Sequence, residues 1–579
     1  MNNNYRYILA GVLIFLIIIF QPVYLKWLGY DEGSVVMEKV SDASDLSKNI
    51  ITSEPIETNA KFKQSIYADR VPESFITIVA PLFIATISNR SGGTLNSYIL
   101  TKVSAENYKY EGGYDEIGMY DKHIPVSLML PSENYCQPCL ATYDDIEDRY
   151  NYINSNFSLI TYSGLSDTIF LSPGESTELK YELNDAFGNI LIQKSLSFFA
   201  DSFVSLHEFS VNEEHFNYVN SLELLWSGGL RPTEESEDED VQYGSGIISQ
   251  AGELENIQIN DPDKKISRLI FNGQTDWVAV RSKYFISALL IESSGSFATL
   301  SAENIIFGDR KQTPYYIASV GFPLDINMVS SRVYLGPLDV DLLTATGTSL
   351  DATMNWGWAV IRPISKGILW VLKFMHNALH LNYGLVLLLF ALLIRLVTGP
   401  LTKKSFESTQ KMQKIQPEIK KVQSKYKNDP QRLNREMMGM YKKHGVNPLG
   451  GCLPMVLQMP LLMALFIVFR TTIEFRGQPF IFWITDLSKP DIVFSLPFSI
   501  PIYGSGVAIL PLLMGATLFL TMRMSSATMD KSQKPIMYFM NGFFILLFNS
   551  FPSGLNLYYT AYNLMSFLQQ QGIRKKLSE

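Results

Sequence analysis

None of the five apolar runs in the C-terminal third of the 579-residue chain contains an aspartate or a glutamate. A basic side chain inside those runs therefore has no built-in counter-charge. Cysteine is nearly absent as well, with only three in the chain. Cys136 and Cys139 form a lone C-x-x-C with no second pair and no neighbouring histidine, which argues against a zinc site and leaves an oxidised pair or two free thiols. Cys452 falls in an apolar run and reads as a small packing residue. There is no G-x-x-x-x-G-K-[ST] and no Rossmann glycine pattern, so no nucleotide-driven step is indicated. His123, His207 and His215 are scattered without partners at a useful spacing, and no catalytic constellation emerges. The sequence reads as a non-enzyme that uses no metal or cofactor.

Charge and hydropathy divide what is present. The formal net charge is −8, but residues 1–355 carry 23 Lys+Arg against 47 Asp+Glu, while residues 356–579 carry 25 against 9. An acidic N-terminal part is followed by a basic, Met-rich, apolar one. Residues 7–25 form an apolar segment longer than a signal-peptide core with no small-residue cleavage site after it, so 1–29 reads as an uncleaved transmembrane signal anchor. Residues 30–64 are polar and read as a linker. From 65 to 345, short alternating or β-branched runs such as FITIVAPLFIATIS and WVAVRSKYFISALLIES are punctuated by turn residues. That texture predicts a large all-β sandwich, in which the acidic run 234–240 is expected to be a solvated loop.

Residues 356–380, with three tryptophans and apolar residues at helical spacing, predict an amphipathic helix lying in a membrane interface. His376 and His380 stand four apart, but no acidic or cysteine partner is near, and contact with lipid headgroups is the expectation. Apolar runs at about 381–400, 450–469, 507–522, 536–551 and 555–571 predict five spans. Between the first two lies 401–449, with 12 Lys+Arg against 4 Asp+Glu. Its apolar residues step by three and four on either side of Asn428-Asp429-Pro430, which predicts a helical hairpin. Pro417 should kink its first helix or mark where it restarts. The positive-inside rule places this basic segment in the cytoplasm. With the anchor this makes six spans, both termini cytoplasmic and residues about 30–380 periplasmic.

The first of the five C-terminal runs, LNYGLVLLLFALLIRLVTGP, carries one charge, Arg395. A charge at the centre of a spanning helix costs about 2.5–3.5 kcal/mol on insertion scales, so such a residue marks a functional site by default. The competing reading is an arginine near a helix end that snorkels to the interface. Gln458, Asn541, Asn549, Asn556, Tyr559 and Asn563 are the other polar residues at membrane depth. Together with an unpaired arginine they favour a hydrated groove whose anion is supplied by something transient. An anion-binding secondary transporter or channel is the alternative, weakened by the lack of an obvious inverted repeat.

NPLGGCLPMVLQMPLLMALF (447–466), FPSGLNLYYTAYNLMSFLQQQ (551–571), the Arg395 run followed by PLT, and YKKHGVNPLGG resemble segments of the YidC/Oxa/Alb membrane protein insertases. WVAVRSKYFISALL (277–290) and VYLGPLD (333–339) are similar to the periplasmic domain of the Gram-negative YidC branch, and FWITDLS (482–488) resembles the family's loop after the third transmembrane segment. The resemblance implies a five-helix insertase core at 381–579, a periplasmic β-supersandwich, and a groove open to cytoplasm and lipid. It implies a role for Arg395 in attracting the polar tail of a nascent membrane protein, with Gln458, Asn541, Asn549 and Tyr559 as further groove residues. A hydrophobic slide is implied at Met455, Met459, Leu462, Leu465, Phe466, Phe543 and Phe544. Nascent membrane proteins, the Sec translocon, the ribosome (weakly, through basic loops) and lipids are the implied partners. Ala391, Ser550 and Asn541 depart from residues common in the family and bear on how polar the groove is.

Overall fold

The structure is a computed structural model. It describes residues 71–578 except 102–108, 131–135, 162–165, 186, 213–220, 262, 324–326, 428, 447–452, 501–502 and 526–533. The expected anchor at 7–25 and the linker at 30–64 lie outside the described residues. The chain divides into two compact units at Met354/Asn355.

The first unit is all-β apart from short helices. A thirteen-stranded antiparallel sheet is built around the long strands Ile266–Arg281, Phe285–Phe307, Arg310–Phe322 and Met328–Pro337. A four-stranded sheet contains Phe75–Val79, Phe83–Ser88, Thr94–Leu100 and Thr168–Phe170. Phe83 of the small sheet meets Phe198 of the large one at 5.9 Å between ring centroids. Strand alternation explains the packing: in Ile190–Phe199, Ile192, Lys194, Leu196 and Phe198 all turn inward.

That alternation buries a lysine. The Lys194 ammonium donates to the carbonyls of Ser91, Gly93 and Pro138 at 3.4, 3.0 and 3.2 Å. Burial pushes its pKa down to about 7. The Pro138 carbonyl belongs to the loop closed by the Cys136–Cys139 disulfide, so the two cysteines are an oxidised pair with both sulfurs buried.

The acidic run 234–240 is not a solvated loop. Glu237–Tyr243 is a helix (α1), and Glu234 and Asp240 are buried. The Asp240 carboxylate meets Arg310 Nη2 at 2.7 Å, and Glu239 meets Lys283 at 2.8 Å. Arg310 also donates Nη1 to the Glu234 carbonyl and lies over the Tyr114 ring. Two of its carboxylates, Glu239 and Asp240, answer buried cations, a pattern that composition cannot distinguish from a solvated charge cluster. A second short helix, α2 (Val340–Ala345), is capped by Asp339.

The second unit is helical: α3 (Arg362–Leu379), α4 (Tyr383–Lys425), α5 (Pro430–Lys443), α6 (Leu453–Thr471), α7 (Ile509–Ser525), α8 (Lys534–Phe548) and α9 (Ser553–Ser578). α3 begins with Pro363 in its first turn. Its buried face is Ser365, Ile368, Leu369 and Leu372, while Trp370 and Phe374 stack on each other and are exposed. His376 is used within the fold: Nδ1 lies 2.7 Å from the Leu381 carbonyl and the ring stacks on Tyr383 at 4.2 Å.

α4 is one helix of 43 residues that runs through both Pro400 and Pro417, so neither proline ends it. At 1.5 Å per residue it is about 65 Å long, roughly twice a bilayer core. Its last part packs on α5 through Ile415, Ile419, Met440 and Val446. Asp429 caps α5 by accepting from the Arg432 amide.

Six spans are not all apparent. Among the described residues only 383–412 is long and apolar enough to cross a membrane. Three shorter apolar helices accompany it, Gln458–Thr471, Ile509–Arg523 and Met537–Phe548. α9 is long, but its tyrosines, asparagines and glutamines lower its hydropathy.

Candidate functional site

Asn382 starts α4 by accepting from the Leu385 amide, and the apolar run that follows splits into two faces. Leu396 and Val397 are 67% and 69% exposed, whereas Val386, Leu387, Phe390, Ala391 and Arg395 are buried. Arg395 is twelve residues past Tyr383, about 18 Å along the helix axis. That is beyond the middle of a ~30 Å core. It does not snorkel away from the bundle: its residue exposure is 5%.

α4 and α9 run in the same direction. Phe390 meets the Tyr558 ring, and the Arg395 guanidinium lies 5.6 Å from the centre of the Tyr562 ring. Arg395 Nε and Nη2 are buried and have no hydrogen-bond partner among the described residues. No carboxylate pairs with it there. A π-face attracts a cation by about 2 kcal/mol when desolvated. Pairing a buried ion takes more than that, since desolvation costs several kcal/mol.

The unsatisfied polarity continues along α9. Tyr558 Oη, Tyr559 Oη, Asn556 Oδ1, Gln569 Oε1 and Gln570 Oε1 are all buried without a hydrogen-bond partner among the described residues. Gln458 of α6 approaches the Tyr559 hydroxyl without closing a well-formed hydrogen bond. Unpaired buried polar groups are rare, and within apolar helices they are tolerated where they line a water-filled cavity. The arrangement can accept an anionic or polar group beside Arg395.

The expected groove residues separate into two sets. Arg395 and Gln458 each meet α9, Arg395 at Tyr562 and Gln458 at Tyr559. Asn541 instead donates to the Gly515 carbonyl and toward Met522 Sδ, bridging α8 to α7. Asn549 donates to the Tyr503 and Gly506 carbonyls and accepts from the Ala508 amide, fixing the segment before α7. On the expected slide, Met459 is exposed, Leu462 half-buried, and Leu465 fully buried in helix packing. Phe466 packs on Phe551, and Phe543 and Phe544 form a half-buried pair on α8. The Met455 side chain lies outside the described ones. Sequence reasoning missed Tyr558, Tyr562, Gln569 and Gln570. Their helical spacing from Tyr559 and Asn563 was the available signal, since 558, 562 and 569 share a face of one helix.

An all-β domain joined to a bundle of apolar helices, with a buried arginine that has no carboxylate partner among the described residues, points to a class of membrane protein. The matches to known proteins are consistent with that class. Residues 374–579 match the family model described as 60Kd inner membrane protein, and 121–371 match the YidC periplasmic domain. A membrane protein insertase YidC of Chloroherpeton thalassium is 34% identical, covering 92% of this chain and 89% of the relative. One from Prosthecochloris aestuarii is 36% identical, covering 94% and 89%. A solved structure of an active YidC insertase aligns with 87% of this chain and 93% of that one, at 16% identity and a TM-score of 0.33. The chain belongs to the YidC family of membrane protein insertases.

Proposed function

We propose that this chain inserts nascent membrane proteins into the bacterial inner membrane, and that Arg395 with the polar face of α9 forms the hydrated groove that receives the substrate's polar tail. The single observation that carries this reading is the buried Arg395 guanidinium, which faces the Tyr562 ring of α9 and whose Nε and Nη2 have no hydrogen-bond partner among the described residues. Excluding a polar flank from hydrocarbon is the barrier to insertion. A positive charge in a water-filled recess partway across lowers it. The substrate's own apolar segment then passes over Met459, Leu462, Phe466, Phe543 and Phe544. Its release into lipid is favoured by burial of apolar area at about 25 cal/mol per Å². No nucleotide is used.

In this reading the chain crosses the membrane six times, with both termini and the α4–α5 hairpin in the cytoplasm and the β domain in the periplasm. The basic hairpin contacts anionic lipid and, weakly, the ribosome. The chain acts alone or with the Sec translocon. The Met459–Phe466 face of α6 is the substrate path, which site-specific photo-crosslinking tests. A probe at Leu462 should capture a ribosome-stalled nascent membrane protein, while one at Ile146, an exposed position in the β domain, should not. Equal capture at both positions would remove the substrate path from α6.

A further inference from the structure

Between α6 and α7 the chain forms a two-stranded hairpin, Ile492–Ile500 paired with Gly504–Ala508, which among the described residues joins no other sheet. An isolated two-stranded hairpin is marginally stable in water at best. This one is held at its base. The Asp491 carboxylate accepts from the Trp483 indole at 2.9 Å and from the Ile509 and Leu510 amides at 3.1 and 2.8 Å, capping α7. Asn549 clamps the second strand from α8's end, as described above. Beyond that base the hairpin is uncovered: Ile492, Val493, Phe494 and Phe498 are 51, 47, 60 and 61% exposed.

We propose that this hairpin is an interfacial lipid anchor, seated at the boundary between headgroups and acyl chains in the leaflet at the Tyr383 end of the bundle. The proposal rests on the membrane reading given above. Three observations select lipid as the occupant. First, no charged residue occurs from 492 to 522, so the hairpin runs without interruption into α7, whose Leu512 and Leu513 are exposed. α7 has 17 residues, about 26 Å of helix, slightly less than a bilayer core. Second, the hairpin lies at the end of the bundle where aromatic side chains collect. The connection leading to it packs on the start of α4, with Phe475 against Tyr383, and Phe482 and Trp483 stack at its outer edge. Trp358 and Trp370, at the same end of the chain's entry into α4, are exposed. Aromatic belts of this kind mark membrane–water interfaces. Third, the strand edges fix the depth. Unpaired strand amides and carbonyls are not tolerated in lipid-exposed hydrocarbon. Exposed phenylalanines are disfavoured in water. The interface satisfies both, and Ser495 and Ser499 are the polar side chains on an otherwise apolar first strand.

The test is nitroxide labelling of the full chain in phosphatidylethanolamine/phosphatidylglycerol vesicles. Phe494→Cys, Phe498→Cys and Val493→Cys are made singly in a Cys452→Ser background that keeps the Cys136–Cys139 disulfide. Collision with oxygen, which concentrates in lipid, is compared with collision with a water-soluble nickel chelate. Leu396→Cys on the exposed face of α4 is the lipid reference, and Ile146→Cys is the aqueous one. The expected result is an oxygen preference at all three hairpin positions, shallower than at Leu396→Cys and clearly above Ile146→Cys. A nickel preference at the hairpin with an oxygen preference at Leu396→Cys overturns the anchor and leaves the membrane reading standing. Protection from both reagents also overturns it, in favour of a protein cover. A nickel preference at Leu396→Cys overturns the membrane reading and the anchor together.

Discussion

Arg395→Ala is expected to lower insertion of a substrate with an acidic N-terminal tail by about 10- to 100-fold. The magnitude follows from the interaction removed. A hydrogen bond to a charged group contributes about 1.5–3 kcal/mol, and each 1.4 kcal/mol is tenfold. Arg395→Lys should retain most activity, because the groove needs a positive charge and not a bidentate fork. A substrate with an uncharged tail should insert almost as well with Arg395→Ala as with the unmodified protein. The stability of the bundle separates this from a structural role. The guanidinium has two buried nitrogens without a partner among the described residues, so removing it should leave the melting temperature unchanged or raise it. A loss of insertion that accompanies unfolding, or that is equal for charged and uncharged tails, would remove Arg395 from the groove.

Arg310→Met is expected to destabilise the β domain by about 3–5 kcal/mol, the usual cost of leaving one member of a buried pair without its partner. Arg310 and Asp240 have side-chain exposures of 2% and 6% and are 2.7 Å apart. Burial pushes the Asp240 carboxyl up to about 7, with Arg310 pulling the other way and Glu234 and Glu239 adding to the rise. The sign of the pH dependence follows. A carboxyl whose folded pKa lies above its unfolded value of about 3.9 binds more protons in the folded state between the two. Its contribution to stability therefore falls as pH rises from about 4 to about 7. Without Arg310 the buried carboxylate is costlier still, so the penalty of Arg310→Met should be larger at pH 8 than at pH 5, where the carboxyl is protonated. Adding Asp240→Asn should recover part of the loss at pH 8. Hydrogen exchange of the strand Arg310–Phe322 in the full chain reads both effects. A penalty independent of pH would mean that the lost packing on Tyr114 dominates.

The division of the chain was legible because the two halves answer to different solvents. The acidic half alternates with period two, and the basic half carries long apolar runs. Arg395 was legible as a lone charge in such a run. Its surroundings were less so. Tyr562 and Gln569 lie on the face of α9 that meets α4, and only the packing of two helices reveals which tyrosine of three faces the cation. Asn541 and Asn549 have the same composition signal as Gln458 but spend their hydrogen bonds on backbone carbonyls of neighbouring segments. Leu465 carries the same apolar signal as Met459, yet one is buried and the other is exposed, because only one side of α6 packs within the bundle. The acidic run at 234–240 misled in the opposite direction: its counter-charges, Arg310 and Lys283, come from strands distant in sequence. The apolar run ends at Pro400, and Pro417 predicts a kink or a restart of the helix, but one helix continues through both. Tertiary packing of the Ile415–Ile419 seam holds it together where local propensity would break it.

The most direct test of the central claim is reconstitution of the purified chain alone into phospholipid vesicles. A single-span substrate with an acidic tail is supplied by translation, and a panel of small anions is assayed for flux in the same vesicles. The account predicts protease-protected, membrane-integrated substrate that depends on the chain and needs no nucleotide beyond that used in translation, with no anion flux above empty vesicles. Anion flux without any polypeptide substrate, together with insertion no better than in empty vesicles, would contradict it and make Arg395 the site of a transporter or channel.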